Sequence, residues 1–206
     1  MAAANSKWIE EAAINALDRV FLSCPILSPH TNRNDRTPPW DGFVLVYQNA
    51  SHKNENLLGR VPIQVKGTKK SVTSDTASFS CRVADLRNYY NDGGCIFFLV
   101  SVPSVIGEAS IYYSSLLVFD LKRKLDEIGN QKNCSIELTR FPSKDINEIS
   151  TIFTSFIENS RKQASFIGKK LVSLEELTRN GVGIESLTFN ASGIGLNEFN
   201  LGKFLS

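Results

Sequence analysis

Two runs of apolar and polar positions set the pattern of this chain. From Val61 to Lys66, the residues Val61, Ile63 and Val65 alternate with Pro62, Gln64 and Lys66. A strand, with its period of two, sends the first set into a core and the second to the opposite face, so Gln64 and Lys66 project together. The preceding run, Trp40 to Tyr47, is almost unbroken in its apolar and aromatic character. It predicts a strand buried on both faces, with Asp41 at its mouth. Paired as a hairpin, the two strands bring a carboxylate, an amide oxygen and an ammonium group to one end of a sheet. Those are the elements of a hard-cation site with a lysine beside it.

The remaining pattern supplies the setting. Asn5 or Ser6 caps a predicted helix over about 7–22, whose apolar face is Ile9, Ala13, Ile14, Leu17, Val20 and Phe21. Glu10 falls inside that face, followed at +3, +4 and +7 by Ala13, Ile14 and Leu17, whereas Glu11 has Asn15 and Asp18 as neighbours. A carboxylate aimed at a core is costly unless something positive meets it, and a rim position that reaches water is the equal alternative. The polar, proline-containing stretch 28–39 reads as a loop leading to Asp41, and the polar interval between Tyr47 and Gly59 as a long, mobile hairpin connection. Strands are expected at 76–83, 95–102, 111–119 and 135–138, and helices at 84–91, 120–128 and 146–164, the last capped by Ser143 or Asp145. This alternation describes an α/β domain with a mixed sheet flanked by helices. After Phe166 the texture changes to glycines and alternating Leu187 and Phe189. The expected division is therefore a domain over 1–165, then over 166–206 a linker and the start of a β-rich unit belonging to a longer protein. Its glycines do not follow a strand and open a helix, which excludes a dinucleotide or phosphate loop.

Composition narrows the picture. At 206 residues, with 42% hydrophobic and 21% charged positions, the chain has the make-up of a globular protein. A net charge of +2 is too small to hold nucleic acid except through a local patch. Cys24, Cys81, Cys95 and Cys134 are scattered, without a C-x-x-C pair, and read as reduced, buried thiols rather than zinc ligands. The N-terminus lacks a secretory pattern. The longest apolar run, Cys95 to Ile106, is interrupted by Ser101, Pro103 and Ser104 and is too short for a bilayer. The expected location is the cytoplasm.

Glu10 on the first helix, Asp41 at a strand start and Gln64-x-Lys66 on the next strand together resemble the PD-(D/E)XK, or restriction-endonuclease-like, nuclease superfamily. The similarity covers roughly 7–118 and is nearest the branch with glutamine in the third position, as in Mrr-type and defence-associated effector nucleases. Two departures stand out. Trp40 occupies the place of the usual proline, and Gln64 replaces the commoner acidic residue, removing one negative charge from the metal site.

The resemblance implies a restriction-endonuclease-like sheet and a metal-dependent endonuclease acting on DNA ahead of RNA. Glu10, Asp41, Gln64 and the Val65 carbonyl would hold Mg²⁺, or Mn²⁺, and Lys66 would act on the attacking water. Glu11 remains the alternative helix ligand. Lys69, Lys70, Arg33 and Arg36 would contact phosphates. It further implies an N-terminal effector of a larger restriction or antiphage-defence protein, a homodimer for double-strand cuts, and a sensor or regulatory region further along the same protein. The rivals are a catalytically silent member of the same fold used for nucleic-acid binding or assembly, and an interaction domain in which Asp41, Gln64 and Lys66 are incidental. The plain reading of Gln64 and Lys66 is a solvated strand face, and that of Lys69 and Lys70 a solubilising pair.

Overall fold

Strong, regularly spaced apolar runs become the elements of a mixed seven-stranded sheet with helices on its faces. The computed structural model describes residues 2–32, 40–102, 109–169 and 174–181. The chain divides into two compact units, 1–168 and 169–206. In the first, α1 (Ala2–Ser23) leads to β1 (Leu27–Thr31), β2 (Gly42–Tyr47), β3 (Leu57–Thr68) and β4 (Thr76–Arg82). Then follow α2 (Val83–Asn91), β5 (Cys95–Ser101), β6 (Ser110–Leu116), α3 (Val118–Ile128), β7 (Asn133–Arg140) and α4 (Ile146–Gln163). In the second unit the described residues include α5 (Leu174–Arg179). The β-rich segment expected there falls mostly on 182–206, outside the described residues.

The strand order is β1-β2-β3-β5-β6-β7-β4. β3 and β5 run parallel, and every other neighbouring pair is antiparallel. All seven residues of β5 are buried, as a central strand covered on both faces requires. Its alternate residues feed two separate cores: Ile96, Phe98 and Val100 join Ile14, Leu17 and Phe21 of α1 and Phe153 of α4. On the other face, Phe97 and Leu99 join Leu86 and Tyr89 of α2 and Leu121 of α3. Phe21 meets the Phe98 and Phe153 rings edge-on at 5.5 and 5.4 Å. At the start of α4, the Asp145 carboxylate accepts from Asn147 N and Glu148 N at 2.9 and 3.0 Å. Asp145→Ala should therefore cost about 1 kcal/mol and lower the thermal midpoint by about 2–4 °C in a calorimetric melt.

Four sequence expectations are corrected. The first helix starts at Ala2 and runs through Asn5 and Ser6, so neither caps it. Residues 27–31 are strand rather than loop, and Pro29 is accommodated because β1 is an edge strand with one free side. The strand after Asp41 is not buried on both faces: Val44 and Val46 are fully buried, whereas Phe43 and Leu45 are only partly covered. Phe43 lies under the Arg60 guanidinium and against the His30 ring, which accounts for an aromatic residue on the open face. The connection 48–56 is tied down, with His52 stacked on Tyr47 at 4.6 Å and hydrogen-bonded to the Pro25 carbonyl at 2.8 Å. Among the described residues no helix is long and apolar enough to cross a membrane.

Candidate active site at the end of the β2–β3 hairpin

β2 and β3 pair antiparallel, with Gly42 opposite Ile63. Val61, Ile63 and Val65 enter the core, each 3% exposed or less, which places Gln64 and Lys66 on the other face. Asp41, just before β2, is held by its backbone on both sides: Asn32 N donates to Asp41 O at 2.8 Å, and Asp41 N donates to Ile63 O at 3.2 Å. Gly42 follows with φ of +139°, and a Cβ there would collide with the His30 carbonyl. Only glycine admits this turn into the strand, which leaves Asp41 aimed across the hairpin. Trp40 packs on Tyr89 at 5.0 Å between ring centroids and anchors the approach to Asp41 from the α2 side.

The Asp41 carboxylate accepts from Val65 N at 2.7 Å and from Gln64 Nε2. The same Gln64 amide nitrogen lies 3.4 Å from the Val65 carbonyl. An amide donor thus sits between two oxygen acceptors, a position that rewards positive charge. A half-turn of the amide about χ3 substitutes Oε1 for Nε2 there and leaves an oxygen set of Asp41, Gln64 and the Val65 carbonyl. This donor set, with Glu10, fits a hard divalent ion such as Mg²⁺. Among the described residues no group of three or more His, Cys, Asp or Glu forms a cluster. The groups that would serve such an ion are two carboxylates with amide and carbonyl oxygens, not a carboxylate cage.

Glu10, exposed in the first half of α1, and the exposed Lys66 both act electrostatically on Asp41. Glu11 instead lies 3.9 Å from Lys7 along the helix surface, and Glu10 is the α1 carboxylate that acts on Asp41. Burial is the largest influence on Asp41 and raises its pKa above the ordinary 3.8, and Glu10 pushes the same way. The Val65 N–H, the Lys66 ammonium and Gln64 oppose the rise without cancelling it. The folded state therefore holds the Asp41 proton more tightly than the unfolded chain does. That contribution is complete below the unfolded pKa and is lost as pH rises through the folded one, so ionised Asp41 costs stability at neutral pH. Asp41→Asn should melt higher than wild type at pH 7.5, with the gap closing as the pH approaches 3.5. Melts across that range check the sign.

Two further side chains border the site and carried no recognisable motif. Tyr89 is buried, and burial above all raises its phenol pKa, with Cys95, Cys81, Asp85 and Asp41 adding to the rise. Cys81 is pushed up to about 11, first by burial and then by Asp85, while Lys66 pulls it down. Both stay neutral, so Lys66 faces Asp41 as the one ionised partner among Asp41, Tyr89 and Cys81. Lys69 and Lys70 are exposed beyond the end of β3, and Lys70 borders a cleft there. Arg33 and Arg36 lie outside the described residues. His30 and His52 are exposed and engaged in ring stacking. Cys24, Cys81 and Cys95 are buried and, like the half-buried Cys134, unbridged. In comparisons with family profiles, with characterised proteins and with solved structures, the chain matched none.

Proposed function

We propose that the chain is a metal-dependent endonuclease domain of the PD-(D/E)XK type, hydrolysing phosphodiester bonds in DNA. The observation that carries this reading is the convergence at one sheet end of Asp41, Gln64 and the Val65 backbone, with Glu10 and Lys66 acting on the same carboxylate. The order of helix, hairpin and mixed sheet supports a restriction-endonuclease-like arrangement. Glu10, Asp41, Gln64 and the Val65 carbonyl would hold Mg²⁺ or Mn²⁺, which when bound polarises a phosphate and lowers the pKa of a water. The protein's own part is positional and electrostatic. Asp41 is fixed by Val65 N–H, so it presents a preset carboxylate rather than one that must be ordered at each turnover. Lys66, on the same face as Gln64, orients the attacking water and offsets the negative charge that builds on the phosphate oxygens as the P–O bond to the leaving group breaks. The larger setting proposed is an effector domain of a restriction or antiphage-defence protein.

One observation favours a second reading, a silent nuclease fold used for binding or assembly. The Gln64 amide nitrogen, not its oxygen, meets Asp41 and the Val65 carbonyl. Incubating supercoiled plasmid with the protein and Mg²⁺ or Mn²⁺ separates the two. Nicking or linearisation that stops with a chelator and with Asp41→Ala supports the nuclease. Intact plasmid under every metal condition, or equal cutting by Asp41→Ala, supports the silent fold.

A further inference from the structure

A cleft of about 490 Å³ opens at the end of β3, bordered by Thr68, Lys70, Thr73, Ser74, Phe79 and Leu99 among others. It lies on the Lys66 side of the sheet. Leu99 is the register partner of Lys66 in the adjacent strand, and Thr68 is two residues further along β3 with its side chain on the same face. Gly67, the residue after Lys66, and Leu99, its register partner, both line the cleft, so it opens directly beside Lys66. Its volume is within the range of small-ligand sites, roughly 300–1,000 Å³.

Its wall is built rather than loose. The Tyr112 hydroxyl lies 3.0 and 2.8 Å from the Val72 and Ser74 carbonyls, and Ser101 Oγ donates to the Lys70 carbonyl at 2.8 Å. Arg140 N donates to Asp75 O at 2.8 Å. A ligand therefore meets a loop already ordered, and little affinity is lost to fixing it. The chemistry of the lining is equally directed. Phe79, only partly buried, and Leu99 offer an apolar floor, hydroxyls line the rim, and among the described residues the one charged lining residue is Lys70. Among the described residues no carboxylate lines the cleft. An apolar floor with cationic and hydroxyl edges suits a base against the ring and a phosphate at the rim. A base stacked inside a duplex cannot reach such a floor; an unpaired one can.

We propose that this cleft holds an unpaired nucleotide flanking the phosphate at Lys66, so that the preferred substrate is single-stranded or locally opened nucleic acid. The proposal rests on the nuclease reading for its placement, but its test does not depend on cutting. The binding of a fluorescein-labelled ten-nucleotide oligothymidylate, and of a duplex of equal length, is measured by anisotropy in EDTA. Wild type should bind the single strand about tenfold tighter than the duplex, and Thr73→Glu and Lys70→Glu should each weaken it by roughly tenfold. Asn130→Asp, in the separate cleft bordered by Arg82, Arg87 and Lys132, should leave it unchanged. Equal affinity for duplex, no weakening by Thr73→Glu and Lys70→Glu, or equal weakening by Asn130→Asp overturns the proposal. Plasmid cutting lost in Asp41→Ala alongside a silent Thr73→Glu would leave the nuclease standing and remove the cleft. Selective binding of the single strand without cutting by any form would do the reverse.

Discussion

Lys66→Met should lower the rate of the proposed metal-dependent DNA cleavage by about 10²–10³, the loss expected when one preset group facing a developing negative charge is removed. The thermal midpoint should stay close to that of wild type, because Lys66 is exposed and methionine keeps most of its stem. The split between lost turnover and retained fold distinguishes a lysine acting on the reaction from one that merely solubilises a strand face. A second signature follows from its neighbour. The Lys66 ammonium lowers the pKa of Asp41, so its removal lets that pKa climb further. Residual activity should then need a higher pH, and the acidic limb of the rate profile should move upward. Lys66→Arg retains the charge and should keep that limb nearer its wild-type position, though a planar guanidinium cannot place the same point charge.

Gly67→Ala should destabilise the protein and weaken metal binding together. A Cβ at Gly67 would stand 2.7 Å from Ile9 Cγ2, 2.8 Å from Ile9 O and 3.1 Å from Ile9 C. Two of those atoms are helix backbone, so α1 must shift, at a cost of about 1–3 kcal/mol or a midpoint lower by roughly 3–10 °C. The next residue on α1 is Glu10. Moving the helix away from β3 withdraws that carboxylate from Asp41, so the affinity for Mn²⁺, measured by calorimetric titration, should fall as the melt does. A variant that destabilises to a similar degree elsewhere, such as Ile149→Val in the α4 face of the core, should leave Mn²⁺ affinity alone. Equal affinity in Gly67→Ala and wild type would show that Glu10 is no ligand.

The parts of the site that lie on strands were legible because a strand fixes side-chain direction every second residue. Once Val61, Ile63 and Val65 were assigned inward, the common face of Gln64 and Lys66 followed, and the structure has them there. β5 was legible for the same reason, since six consecutive apolar positions, Cys95 to Val100, have few alternatives to a covered central strand. What escaped depended on contacts distant in sequence. Of Leu27–Thr31 only Thr31 favours a strand on propensity; pairing with β2 makes one, and an edge position excuses Pro29. Tyr89 and Cys81 reach the site only through the packing of α2 and β4, which local periodicity does not reveal. Gly67, one residue before β3 ends at Thr68, also marks the close approach of another backbone, that of α1 at Ile9, which no local pattern announces. The choice between Glu10 and Glu11 was open on helix geometry and turns on that same crossing.

The central claim is that the oxygens around Asp41 form a cation site. Crystals soaked in Mn²⁺, with data collected at a wavelength sensitive to manganese, test it most directly. One dominant anomalous peak is expected between the Asp41 carboxylate and the Val65 carbonyl, with the Gln64 amide turned so that Oε1 faces the ion, and no such peak in Asp41→Ala. A peak elsewhere, or none at a concentration that supports cleavage, would contradict it.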